Sequence, residues 1–250
     1  PIRTITIQYT AFQRAMASGA RIFELLDIRP QMEDAHGAID LPTIEGDIRF
    51  VNVSFEYVPD VEVIHDLDLH IEPGQTVAFV GLTGAGKTTI AKLITRFYDP
   101  TKGRITIDGV DIRDMDLARL RALFGLVLQD VHLFSGTIAS NIRLGHDSIS
   151  DDAVRRAVEA VSADVFIDRL PHGLATPVAE RGATLSVGQK QLLSFARALA
   201  FDPPVLILDE ATSSVDTETE LLIRDAVQVV MRGRTTIAIA HRLSTIQGMD

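Results

Sequence analysis

Cysteine is absent from the 250 residues. That excludes disulfides, thiolate metal sites and a cysteine nucleophile, and it is compatible with a reducing compartment. Dense runs of Lys and Arg are also missing. Basic residues number 24 against 34 acidic ones, for a net charge of −10. Duplex nucleic acid is therefore a poor match, and no nucleic-acid partner is expected. No window approaches the roughly 18 to 20 consecutive apolar residues of a membrane-spanning helix, and Pro1-Ile2-Arg3 carries no signal-peptide pattern. By itself the chain reads as soluble. Its first residue is not Met, so it reads as a fragment of a parent that can carry membrane spans. Internal repeats and low-complexity segments are absent too. What remains, 46% hydrophobic and 23% charged residues, is the composition of a folded globular protein.

Between Thr10 and Asp27, apolar Phe12, Met16, Ile22, Phe23 and Leu26 recur at spacings of three, four and seven among polar residues, which predicts an amphipathic helix. From Ile28 to Gly46, Pro30, Gly37, Pro42 and Gly46 interrupt an aperiodic stretch that reads as a linker. The domain boundary falls there, giving 1–45 and 46–250. Beyond Gly46 come short apolar runs at Ile48 to Phe55, Leu67 to Ile71, Thr76 to Val80, Ile105 to Ile107, Phe124 to Leu128, Val205 to Leu208 and Thr235 to Ala240. Several are unbroken and β-branched, as in strands buried on both faces, and helical stretches separate the later ones. The expected fold is α/β with a mainly parallel sheet. Ser150 to Leu170 reads as a helix in a helical subdomain.

The run Thr76 to Val80 leads into Gly81-Leu82-Thr83-Gly84-Ala85-Gly86-Lys87-Thr88, and a helix is predicted from Thr89 to Arg96. Strand, G-x-x-x-x-G-K-[ST] and helix together make a phosphate loop. The glycines let backbone N–H groups approach phosphate oxygens, and the helix aims its positive end at the same charge. Gly81, Thr83, Gly84, Ala85, Gly86, Lys87, Thr88 and Thr89 are thus candidate ATP-binding residues. Lys87 is expected at the β- and γ-phosphates and Thr88 at Mg²⁺. The run Val205 to Leu208 ends in Asp209-Glu210. At the carboxyl end of a central strand, Asp209 suits a magnesium-holding position and Glu210 the polarisation of an attacking water. Taken alone, strand followed by acid also describes a simple helix start.

The segment Leu185-Ser186-Val187-Gly188-Gln189, about 20 residues before Asp209, resembles the signature of ABC ATPases, usually LSGGQ, with Val187 in place of the first glycine. Other positions agree. Tyr57, about 24 residues before Gly81, is similar to the adenine-stacking aromatic. Gln129 resembles the Q-loop glutamine that meets magnesium and the membrane domain. Ser214-Val215-Asp216 resembles the D-loop, in which Asp216 meets the partner subunit, and His241 resembles the switch histidine at the γ-phosphate. Glu180-Arg181-Gly182 is similar to the X-loop of exporters, and Thr10 to Asp27 resembles the last transmembrane helix entering the nucleotide-binding domain of fused exporters. The resemblance covers roughly Gly46 to Asp250, and exporter domains of this kind continue further.

The resemblance implies a P-loop NTPase fold: a mainly parallel central sheet, an antiparallel β subdomain, and a helical subdomain carrying the signature. It implies ATP and Mg²⁺ as ligands, with Lys87, Gln129, Glu210 and His241 catalytic and Thr88, Gln129 and Asp209 toward the metal. It also implies a second nucleotide-binding domain arranged head to tail, so that Leu185 to Gln189 act in trans, and a transmembrane domain of the same parent at the cytoplasmic face of a membrane. The alternative, an ABC ATPase of DNA repair or chromosome maintenance, expects a long coiled-coil insertion. The interval here, about 100 residues between phosphate loop and signature, shows no sustained heptads. A P-loop kinase or GTPase leaves Leu185 to Gln189 unexplained, and Glu210 and His241 speak against a purely regulatory nucleotide-binding module.

Overall fold

The computed structural model describes residues 2–28, 32, 37–39, 44–82, 84–128, 130–179, 182, 184–209 and 217–240. The chain divides into two compact units, residues 1–33 and 34–250. Among the described residues the first contains one helix, α1 (Ile2–Leu26), none of whose residues is buried. It begins eight residues before the apolar periodicity does, because Ile2, Ile5, Ile7 and Tyr9 extend the helix through Thr-rich sequence whose hydroxyls bond back to carbonyls four residues earlier. Among the described residues no helix is long and apolar enough to cross a membrane.

The second unit opens with a hairpin, β1 (Ile48–Val58) and β2 (Val61–Ile71). Then come β3 (Thr76–Val80), α2 (Lys87–Ile94), β4 (Lys102–Ile107), β5 (Val110–Asp111), α3 (Leu117–Ala122) and β6 (Phe124–Val127). A helical region follows: β7 (Gly136–Thr137), α4 (Ile138–Arg143), α5 (Asp151–Ala160), α6 (Asp164–Ile167), β8 (Pro177–Val178) and α7 (Val187–Phe201). The described elements close with β9 (Val205–Asp209), α8 (Thr217–Met231) and β10 (Thr235–Ala240). One four-stranded sheet has the order β2-β1-β4-β5 and is antiparallel, a second has the order β3-β10-β9-β6 and is parallel, and β7 and β8 form a short antiparallel pair. This is the expected P-loop α/β architecture.

The parallel sheet is apolar on both faces because it separates two cores. Along β9, Val205 and Ile207 join Ile48, Phe50, Ile105, Ile107 and the α2 residues Leu93 and Ile94. Leu206 and Leu208, pointing the other way by the two-residue period of a strand, pack with Leu192, Phe195 and Ala196 of α7 and Ile223 and Val227 of α8. Unbroken hydrophobic runs are what such a position requires.

Two expectations need correction. Ser150 to Leu170 is two helices. Ser162, at φ 55°, ends α5 by donating its N–H to Glu159 O, while Ala163 N–H reaches Val158 O, the Schellman pattern that satisfies the last carbonyls of a helix. The hairpin strands are also longer than their apolar runs. Glu56, Glu62, His65 and Asp66 are polar because this stretch of sheet faces solvent, and bulges around Val53 and Phe55 break the alternation. The stretch read as a linker is partly tied down, since Ile39 N–H donates to Asp114 O at 2.8 Å beside a bridge to Met115.

Candidate nucleotide-binding site

The parallel register brings the candidate segments to one edge of the sheet. Val80, the last residue of β3, pairs with Ala240 of β10, and Ile239 lies between Phe79 of β3 and Asp209 of β9. Asp209 is thus level with the start of the phosphate loop and two strands away, about 10 Å at a strand spacing of roughly 5 Å. That edge, outside the carboxyl ends of the strands, is where open α/β sheets bind ligands.

From Val80 the chain turns through Gly81 and Leu82, Gly84 and Ala85 into Gly86, which stands at φ 84° and begins α2. A Cβ at Gly86 would lie 2.7 Å from Ile64 Cδ1 and 3.2 Å from Val63 O, so the loop can pass β2 only without a side chain there. No described side chain caps the first turn of α2, which leaves its N–H groups directed at the space inside the loop. Lys87 is buried, 6% exposed, and its Nζ donates to Gly81 O at 2.8 Å and Leu82 O at 2.9 Å. The ammonium is therefore held over the loop it comes from. Thr88, next on the helix, is exposed, whereas Thr89 is buried.

Tyr57, near the end of β1, is 43% exposed and shares a hydrogen bond of 3.2 Å between its hydroxyl and Thr89 Oγ1. The expected base-stacking aromatic is therefore linked directly to the phosphate-loop helix. Its ring lies 4.8 Å from Phe55, 5.2 Å from Tyr98 and 5.6 Å from Lys92 Nζ. Phe55, Lys92 and Tyr98 join the site in space with no motif in the sequence to mark them. Phe55 was recoverable, being two residues before Tyr57 on one strand face; Tyr98 is brought in only by the turn after α2.

The signature segment lies at the start of α7. Ser186 is its N-cap: Ser186 Oγ accepts from Gln189 N–H at 3.2 Å, and Gln189 Oε1 accepts from Ser186 N–H at 3.0 Å. Val187 is consequently the first helical residue, 55% exposed, with Gly188 buried and Leu185 packed on the helical core. Thr83, Gln129, Glu180, Arg181, Glu210, Ser214, Val215, Asp216 and His241 lie outside the described residues. Gly182 is described, buried beside Leu133 in the segment that follows β6.

Hard oxygen donors suit a magnesium ion, and Thr88 and Asp209 supply a hydroxyl and a carboxylate at the same sheet edge. Nearby N–H groups and a lysine ammonium suit a polyphosphate. Fold and site together define a P-loop nucleotide-binding domain. The family model described as "ABC transporter" matches residues 64–213, and the chain belongs to the ABC transporter family as an ATP-binding domain. It is 50% identical, over all of its length and 41% of the relative's, to the uncharacterized ABC transporter ATP-binding protein YknV of Bacillus subtilis (strain 168). A fatty acid ABC transporter ATP-binding/permease protein of Mycobacterium bovis is 48% identical, over 100% of this chain and 39% of that protein. Among solved structures, a bacterial Atm1-family ABC exporter with ATP bound superposes with a TM-score of 0.86 at 44% identity, covering 97% of this chain and 42% of that one. The chain spans about two fifths of the length of the curated relatives it matches.

Proposed function

We propose that residues 46–250 form the ATP-hydrolysing domain of an ABC exporter and that residues 1–45 join it to a transmembrane domain of the same parent, on the cytoplasmic side of the membrane. The observation that carries this reading is the buried Lys87 ammonium over the loop between β3 and α2, at the sheet edge shared with Asp209. The permease half in the names of relatives such as the fatty acid transporter, and the exporter whose structure superposes, support the transport part.

In this reading ATP is the substrate. Tyr57 stacks on adenine, the N–H groups of Gly84 to Thr89 bind the phosphates, and Lys87 exchanges its loop carbonyls for β- and γ-phosphate oxygens. Thr88 and Asp209, with Gln129, would hold Mg²⁺, which would supply neutralisation of phosphate charge. Glu210 takes a proton from water as its oxygen attacks the γ-phosphorus. The bond from that phosphorus to the β–γ bridging oxygen breaks, and ADP and phosphate leave. His241 donates to the γ-phosphate. A second copy or a related domain presents Ser186, Gly188 and the rest of Leu185 to Gln189 to the same phosphate, with Asp216 at the contact. Binding of ATP then closes the pair and hydrolysis reopens it, a shift between states of different ligand affinity.

The test is self-association. With Glu210→Gln the parent protein is expected to hold its two nucleotide-binding domains together in ATP and apart in ADP, read as a shorter distance in ATP between spin labels attached through Arg156→Cys, an exposed position of α5 outside the site, in each copy. Equal distances in ATP, in ADP and without nucleotide would refute the head-to-tail site.

A further inference from the structure

Tyr57 stands near the tip of a hairpin whose register slips between Phe55, Glu56 and Val58, so its strand alone does not fix the plane of its ring. The phosphate-loop helix does more. Thr89 of α2 holds the Tyr57 hydroxyl, and Lys92, one turn further on, places its ammonium 5.6 Å from the ring centroid. At the far end of α2 the chain reverses sharply. Arg96, at φ 50°, donates its N–H to Leu93 O, and Phe97 N–H donates to Lys92 O at 2.8 Å, again the Schellman pattern. That reversal is braced twice, by Arg96 Nε on Asp99 Oδ1 at 3.1 Å and by Arg121 Nη2 on Arg96 O at 3.1 Å. It delivers Tyr98 to Tyr57 with the ring planes at 89° and the centroids 5.2 Å apart, while Phe55 meets both rings. An edge-to-face aromatic pair resists rotation of either ring.

We infer that Tyr98 is a positioning residue of the nucleobase subsite: it holds the Tyr57 ring in its stacking plane and makes base platform and phosphate loop parts of one rigid unit built on α2. This rests on the reading of Tyr57 as the base-stacking residue. Tyr98 is 38% exposed, so it is a wall of an open subsite and not a core residue, and the ring rather than the hydroxyl carries the role.

The experiment measures equilibrium binding of ATP and of inorganic tripolyphosphate, which has phosphates but no base, to the full chain. Tyr98→Ala and Tyr98→Leu are expected to weaken ATP about two- to tenfold, with tripolyphosphate unchanged and Tyr98→Phe close to wild type. The leucine variant keeps apolar bulk, so it decides the matter if the alanine variant does not fold. In a Tyr57→Ala background, Tyr98→Leu should add less than about twofold, because the ring it positions is gone. Equal losses for ATP and tripolyphosphate, or an undiminished Tyr98 effect in that background, overturn the inference. So does wild-type ATP affinity in Tyr98→Leu when Tyr57→Ala alone is weakened. Wild-type affinity in Tyr57→Ala instead overturns the base-stacking reading beneath it.

Discussion

The hydroxyl of Thr235 donates to the carbonyl of Gly46 at 3.0 Å across 189 residues of sequence. The same oxygen accepts from Gly74 N–H at 2.9 Å. Thr235 is buried at the start of β10, beside the entry to β1 and the turn before β3. Gly46 stands at φ 87°, and a Cβ there would meet Thr235 Oγ1 at 2.7 Å. One hydroxyl thus sets the base of the strand whose other end leads to His241.

Thr235→Val retains shape and removes both bonds, leaving a carbonyl and an N–H short of partners. It should lower stability by about 2 kcal/mol, with Thr235→Ser losing less than half as much. Urea unfolding with an unchanged m-value measures this. Equal stability of valine variant and wild type would mean that water replaces the hydroxyl.

Lys87→Ala should weaken ATP about ten- to hundredfold, the loss of a charge-assisted contact to phosphate, while unfolding free energy changes by less than about 1 kcal/mol. The stability effect is small because its two partners, the carbonyls of Gly81 and Leu82, belong to exposed residues that water reaches. Titration calorimetry and urea unfolding on one preparation separate the two effects.

Asn141 of α4 is buried and holds the segment after Gln129 from inside. Its Oδ1 accepts from Phe134 N–H at 2.7 Å, and its Nδ2 donates to Phe134 O at 2.8 Å and Thr137 O at 3.0 Å. Arg197 of α7 adds bonds to Asn141 O and His132 O, and burial pulls its guanidinium below the usual arginine pKa. Asn141→Ala strands several polar groups and should cost about 2 to 4 kcal/mol, read by thermal unfolding. A loss under about 0.5 kcal/mol would show the segment to be held by other contacts.

Asp47 accepts from Arg49 Nε at 2.9 Å and lies 2.6 Å from His70 Nε2. The Arg49 hydrogen bond first, and His70 next, hold its carboxyl below the usual aspartate pKa. A carboxylate depressed in the folded state stabilises above its unfolded pKa, near 4, and loses that contribution as pH falls through the folded value. Asp47→Asn should therefore reduce stability at pH 6 by less than about 1 kcal/mol, Arg49 being exposed, and the difference should shrink as pH falls below about 4 through the folded value. A difference that stays constant across that fall in pH would point to another cause.

Strand and helix identities were legible where one chemical demand dominates. Val205 to Leu208 is buried on both faces and reads as apolar throughout, and Gly84 to Thr88 carries spacing that only a phosphate loop requires. Legibility failed where backbone geometry outweighs composition. Ser162 breaks a good helical pattern by adopting a left-handed conformation, and the solvent-facing part of the hairpin needs no apolar residues. Tyr98 was invisible because its partner is 41 residues away and the turn at Arg96 leaves no periodic trace. Ser186 and Gln189 were legible as a helix start, since they form the capping box of α7, with Val187 as its first residue.

The most direct measurement is phosphate release from MgATP by the full-length parent protein, wild type against Glu210→Gln. The account predicts turnover in the wild type and a fall of about a hundredfold or more in the variant, with ATP still bound, since the water then has no base. Equal rates in the two proteins would contradict it.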